Sequence, residues 1–391
     1  MSISIIVASN DEHFRETVRE NLMNVPNARL VGEYPEVAPN LYIRVLQDLE
    51  RHPDAGLVLD LASDPEGSIR ILEKVKQAAP HLYVIASNYH ADGEAVIGAV
   101  RAGANDFLVQ PIRRLDLRDA ITRFEKAPKH VGPVVSRLGK VYAFLGVKGG
   151  VGTTTMAVNF AGVLAQRKQN TVLLDLDWTA NDCAMQIGAA PQHTLIEVGE
   201  NLERMDQQLF EGFVTRDSMG FILVGPPDSL EHQGYFTEAM LRDFSNFLVE
   251  KYDSVVLDLG RNLLSELAIG GLQVASQVFL VMTQEFPAIR NTQRYLGYLM
   301  RMGFSQDQIK ILVNNYQKKP SAQYASIDQI QQTLNMKVFY GIPQSPAVMA
   351  AINKSRPFVE NREAAGDLDR VFRLFVDKAT GRNKDEMAKT A

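Results

Sequence analysis

Residues 141–167 read VYAFLGVKGGVGTTTMAVNFAGVLAQR, and the class of the chain turns on that stretch. A β-branched and aromatic run, VYAFLG, passes into a loop containing Gly149, Gly150 and Gly152. Behind the loop, Ala157, Phe160, Ala161 and Leu164 recur at helical spacing. Strand, glycine-rich loop and helix, in that order, are the context a phosphate-binding loop requires. The glycines let backbone N–H groups turn inward around phosphate oxygens, and a helix N-terminus near Thr154 adds a favourable dipole. The competing reading is a glycine-rich βα turn that binds nothing, and the strand and helix on either side argue against it.

Outward from this stretch the same alternation continues in both directions. ISIIV, GLVLDL, LYVIA and DFLV precede it, and TVLLDL, GFILV, SVVLDL, VFLVM and KILVN follow, each separated from the next by helical patterns. Runs apolar on both faces belong in parallel sheets covered by helices, so the fold class is α/β throughout. The length of 391 residues suits two domains. Between Glu125 and Lys140, EKAPKHVGPVVSRLGK breaks the periodicity with two prolines and two glycines. The expected division is a first domain over 1–125, a linker over 126–139, a second domain over 140–378 and a fraying tail over 379–391.

Composition narrows the function classes. A net charge of -5 and a pI near 5.9 give no global attraction to nucleic acid or anionic lipid. The single cysteine, Cys183, excludes an intramolecular disulfide, and building zinc on it would take several converging histidines. MSISIIVASND lacks a basic start and a long apolar run, so it reads as a first strand instead of a signal peptide. Leu263 to Thr283 is broken by Glu266, Gln273 and Gln277, short of the roughly 18 uninterrupted apolar residues that suggest a membrane span. A reducing, cytoplasmic location is expected.

The loop departs twice from the GxxxxGK[ST] pattern: Val147 stands at the first glycine and Thr153 at the phosphate-binding lysine, so the usual cation is missing. Residues 148–155 resemble the deviant Walker A loop of the MinD/ParA family, KGGxGKTT, whose early signature lysine is retained here as Lys148, although Thr153 stands at that pattern's second lysine. The resemblance implies ATP and Mg²⁺ as ligands, with Lys148, Gly149, Gly150, Val151, Gly152, Thr153, Thr154 and Thr155 around the phosphates. It also implies that Lys148 reaches the phosphates across a dimer interface, so that ATP binding drives homodimerisation. Asp175 and Asp177 end one strand and Asp258 another, where open parallel sheets bind ligands. By the resemblance, Asp177 positions the attacking water, while Thr154 and Asp258 hold the metal; a strand-end Asp can also simply cap the next helix. KILVNNY resembles the strand whose Asn reads the adenine edge, here Asn314, and YGIPQSPAV places Pro343 near the base. Thr153 cannot supply a charge-assisted contact of about 1.5–3 kcal/mol, so hydrolysis should be slow or absent while binding persists.

Further text points to a branch. GPPDSLEHQGYFTEAMLRDFSNFLVEKYDSVVLDLG and VMTQEFPAIRNTQRYL resemble the CpaE/TadZ proteins of Flp (Tad) pilus assembly, which implies pilus or secretion assembly proteins as partners. Residues 1–125 resemble a receiver of flavodoxin-like fold, with Asp60 at the acceptor position. A working receiver pairs two acids for Mg²⁺, yet only Asp11 stands there beside Asn10, and Gln110 replaces the lysine before the last proline. Phosphorylation of Asp60 is therefore not expected, and the domain reads as a docking fold. Leu368, Val371, Phe372 and Phe375 form one helical face that resembles the membrane-targeting helix of MinD, although such a stripe on a last helix more often packs on the core. Peripheral contact with the inner face of the membrane or a cell pole would then come through a partner. A ParA-type partition ATPase and a phosphorelay effector are the alternatives, and no sequence-specific nucleic acid is expected.

Overall fold

The structure, a computed structural model, describes residues 3–26, 28–35, 37, 41–90, 93–127, 138–191, 193–229, 234–317 and 324–382. The chain divides into two compact units, Met1–Arg137 and Leu138–Ala391. Most of the linker expected over 126–139 and of the tail expected over 379–391 lies outside the described residues.

The first unit contains strands β1 (Ile3–Ala8), β2 (Ala28–Tyr34), β3 (Gly56–Asp60), β4 (Tyr83–Asn88) and β5 (Asp106–Val109). They form one sheet in the order β2-β1-β3-β4-β5, with every neighbouring pair parallel. That is the flavodoxin-like order. Every residue of β1 and β3 is buried, because helices cover both faces of the inner strands. Between β1 and β2 the helix Glu12–Met23 starts where the Asp11 carboxylate accepts from the His13 amide, and it buries Phe14, Val18 and Leu22 against Ile5, Val7 and Val58.

The second unit contains β6 (Lys140–Gly146), β7 (Thr171–Asp175), β8 (Thr215–Arg216), β9 (Ile222–Val224), β10 (Ser254–Asp258), β11 (Gln277–Met282), β12 (Ile309–Tyr316) and β13 (Val338–Pro343). Their order is β13-β12-β11-β6-β10-β7-β9-β8, parallel except for the short antiparallel pair β8–β9. From β6 the chain steps past the place of β10 to β7; from β10 it crosses to β11 on the other side of β6. The loops leaving β6 and β10 therefore diverge, which opens a crevice at the carboxyl ends of these two neighbours.

The helix that follows β6, Thr153–Gln166, is buried from Thr155 to Leu164, so it runs through the core instead of along the surface. Phe160 on this helix packs on Phe144 of β6 at 5.2 Å and on Phe375 of the last helix at 5.6 Å between ring centroids. That last helix spans Asp367–Thr380, two residues past the expected domain end at Lys378. Leu368, Phe372 and Phe375 are buried and Val371 half-buried, and Asp377 pairs with Arg167 at 2.7 Å. The apolar stripe thus packs on the core. Among the described residues no helix is long and apolar enough to cross a membrane.

Candidate functional site

The loop between β6 and the helix Thr153–Gln166 is held open by local backbone geometry. Gly150 and Gly152 take φ of +76° and +89°, a region that L side chains rarely enter, and Gly152 is the residue from which the helix starts. Three external hydrogen bonds fix the loop: Val147 N to Val281 O at 3.1 Å, Asn291 Nδ2 to Val147 O at 3.1 Å and Asn314 Nδ2 to Val151 O at 2.8 Å. Asn314 comes from β12, and the register of β12 on β13 sets Tyr316 beside Pro343, so both expected base-side residues lie at the strands' carboxyl ends. The Asn314 amide nitrogen, however, is already engaged in bracing the loop, and it lies 2.5 Å from where a Gly152 Cβ would be.

Behind the loop, the parallel register of β10 on β7 sets Asp258 beside Asp175. Both carboxylates are buried. Burial and the neighbouring charge of Asp258 push Asp175 up to about 8, against the Cys183 and Asp177 amides that donate to it. Burial likewise raises Asp258 to about 6, while the Thr154 hydroxyl and the Gly260 amide favour its ionised form. The two expected metal-holding residues, Thr154 and Asp258, are therefore in direct contact. Cys183 adds its Sγ at 3.6 Å from Asp258 Oδ2, and Asp175, Cys183 and Asp258 bring ligand atoms within 4.8 Å of one another. The histidines expected to be necessary for metal at this cysteine are absent from that cluster; its partners are carboxylates.

Asp177 lies just outside the strand end. Its Oδ1 accepts from Thr179 Oγ1 at 2.5 Å and from the Thr179 amide at 3.1 Å, while its carboxylate rests on Gly260, which has no Cβ to obstruct it. Trp178 is 8% exposed, and its Nε1 is buried without a hydrogen-bond partner among the described residues. Asp177, Trp178, Arg261 and Asn262 help to line a cavity of about 580 Å³, so the segments leaving β7 and β10 share one opening. Lys148 is half-buried and forms no ion pair among the described residues.

Sequence reading missed Asn291, Tyr295 and Arg261, and the approach of Cys183 to Asp175 and Asp258. Asn291 and Tyr295 stand four residues apart on the helix Phe286–Arg301; one holds the P-loop, and the other donates to Arg261 O at 2.9 Å. The i,i+4 polar pair was the available signal, but its direction depends on which strands are neighbours.

In the first unit, Asp60 at the end of β3 is 1% exposed. Its Oδ2 accepts from Ser9 Oγ at 2.7 Å and Ser63 Oγ at 3.0 Å, and its Oδ1 from Gln110 Nε2 at 2.7 Å and the Ala62 amide at 2.8 Å. Asp11 caps the first helix through the His13 amide at 2.9 Å. Four neutral donors thus hold the carboxylate, including the glutamine at the lysine position.

A family model described as the CobQ/CobB/MinD/ParA nucleotide binding domain matches residues 142–358. The chain is 24% identical over 226 residues to a septum site-determining protein MinD of Thermotoga maritima, covering 56% of this chain and 81% of that protein. It is 27% identical over 228 residues to a putative septum site-determining protein MinD of Guillardia theta, covering 57% and 81%. A ParA family ATPase from Chlorobium tepidum superposes with a TM-score of 0.57 at 19% identity, over 61% of this chain and 98% of its own. MinD from Pyrococcus horikoshii, complexed with Mg-ADP, gives 0.54 at 18% identity over 65% and 99%. At such identities the superpositions establish the fold.

Proposed function

We propose that this chain, which belongs to the CobQ/CobB/MinD/ParA nucleotide-binding family, is an ATP-operated switch that dimerises on nucleotide and organises the assembly machinery of Flp (Tad) pili. One observation carries the nucleotide part. A glycine loop with Gly150 and Gly152 at positive φ leads into a helix whose first-turn Thr154 hydroxyl bonds the Asp258 carboxylate, at the crevice where the β6 and β10 loops diverge.

The donor set fits Mg²⁺. Thr154 and Asp258 offer hard oxygen ligands, and Asp175 brings a second buried carboxylate within 4.8 Å of Asp258. When bound, the metal would polarise phosphate oxygens and neutralise charge. The chain's own residues do the rest: loop amides hold the phosphates, Thr153 contributes a hydroxyl where a cation is usual, and Asp177 orients a water molecule. A weak ATPase at most follows from that pairing.

Lys148, which forms no ion pair among the described residues, is the residue assigned to a second protomer's phosphates. Sedimentation with ATP and Mg²⁺ should show a dimer for the wild type and a monomer for Lys148→Ala. An unchanged mass with nucleotide, or a dimer that survives the substitution, defeats the switch.

The pilus assignment rests on the CpaE/TadZ-like text and on the receiver-like unit in front, whose Asp60 is fully occupied by neutral donors. Such a unit docks a partner instead of relaying phosphate. The fold shared with a ParA family ATPase supports one alternative, a partition ATPase that binds DNA without sequence preference. An ATP-dependent gel shift that weakens with salt would favour it.

A further inference from the structure

Thr153 deprives the P-loop of its in-line cation, and the loop after β10 brings another cation against it. Arg261 stretches back over the P-loop at Gly149: a Cβ on that glycine would lie 2.6 Å from Arg261 Nη1. The guanidinium thus lies against the backbone of the first glycine after Lys148.

Its position is determined by the frame, not by chance on a free surface. Gly260, immediately before it, takes φ +60° and ties the two loops through Gly146 N to Gly260 O at 2.8 Å. Tyr295 Oη holds Arg261 O at 2.9 Å, and Asn291 on the same helix face holds Val147 O at 3.1 Å. One helix therefore braces both the P-loop and the arginine's backbone. The side chain itself is exposed and forms no ion pair among the described residues, even though the carboxylate of Asp177 rests on Gly260 next door. A plain solvated arginine would need no such bracing. The Asp177 carboxylate against Gly260 is the acidic group next to it at the opening, and a second cation there would offset its repulsion of a polyphosphate.

We propose that Arg261 contacts the terminal phosphates of the nucleotide held by its own protomer, taking over the role that Thr153 cannot perform. A planar guanidinium suits this, since its fork of donors can bridge two phosphate oxygens. The inference rests on the nucleotide-binding reading above and adds to it a second cation, distinct from Lys148 because it acts within one protomer.

The test is equilibrium dialysis of the full chain with labelled ATP and AMP in millimolar Mg²⁺. Arg261→Gln should weaken ATP about 10- to 100-fold, the size of one lost charge-assisted contact, and leave AMP nearly unchanged. Arg261→Lys should keep most of the affinity, and Thr153→Lys in the Arg261→Gln background should restore it. Wild-type ATP affinity in Arg261→Gln overturns the proposal. So does an equal loss of ATP and AMP that neither lysine repairs, which marks a structural role. Failure of the wild type to retain ATP overturns nucleotide binding itself.

Discussion

Substituting Gly152 by alanine separates two contributions that hold the P-loop open. The first is conformational: at φ +89° an alanine costs about 1–2 kcal/mol. The second is steric, because the new Cβ would lie 2.5 Å from Asn314 Nδ2 and push the amide off Val151 O. Losing that 2.8 Å bond inside the fold costs about 1–3 kcal/mol. Gly152→Ala should therefore destabilise by about 2–5 kcal/mol, the sum of the two. In an Asn314→Ala background the obstruction is gone, and the same change should cost only the conformational part. The coupling should equal the worth of the Asn314 bond. Urea unfolding followed by Trp178 fluorescence is the assay, since the only tryptophan lies in the second unit and is 8% exposed. Additive losses in the double mutant would refute the contact between Asn314 and the loop. Gly150→Ala is the control: at φ +76° its Cβ meets nothing within 4 Å, so only the conformational cost should appear.

Three further expectations follow from the packing and charges. Asp258 and Asp175 titrate at about 6 and about 8 when folded, above their ordinary carboxylate range, so the folded state holds protons that the unfolded chain releases. Their contribution is present at low pH and is lost as pH rises through those values, so the urea midpoint without divalent cations should fall between pH 6 and 8.5; a flat or rising profile contradicts the buried pair. Phe375→Ala removes a buried ring packed on Phe160, Phe279 and Phe372, and should cost about 3–5 kcal/mol in the same unfolding assay; a change under about 1 kcal/mol would mean that the last helix is only loosely docked. Asp60, enclosed by Ser9, Ser63 and Gln110, should take no phosphoryl group from acetyl phosphate and Mg²⁺, and a phosphorylated species by intact mass spectrometry would reverse that assignment.

Much of the second unit was legible because its signals are local. VYAFLG, the glycines and the apolar helix lie in one continuous stretch, and TVLLD and SVVLD end in carboxylates that the parallel register then sets side by side. What was not legible depends on strand order. Nothing in the sequence inserts β10 between β6 and β7, and that insertion is what turns Arg261 toward Gly149 and Cys183 toward Asp258. Asn314 shows the same limit from another side: its strand-end position and its likeness to a base contact are legible, but the bond from its amide nitrogen to a carbonyl 163 positions away in sequence is not. The two-residue β8 and the three short helices between β7 and β8 carry too few periods to stand out. In the first unit, the missing acid and missing lysine were visible, but the closure of Ser9 and Gln110 around Asp60, from 51 and 50 positions away, was not.

Titration calorimetry of the full chain with ATP and Mg²⁺ tests most directly whether residues 148–155 bind a triphosphate despite Thr153. A saturable heat of association, abolished by chelating the metal and weakened in Thr154→Ala, is the expected result. No heat with ATP or ADP, from protein whose fold is intact by circular dichroism, would contradict it.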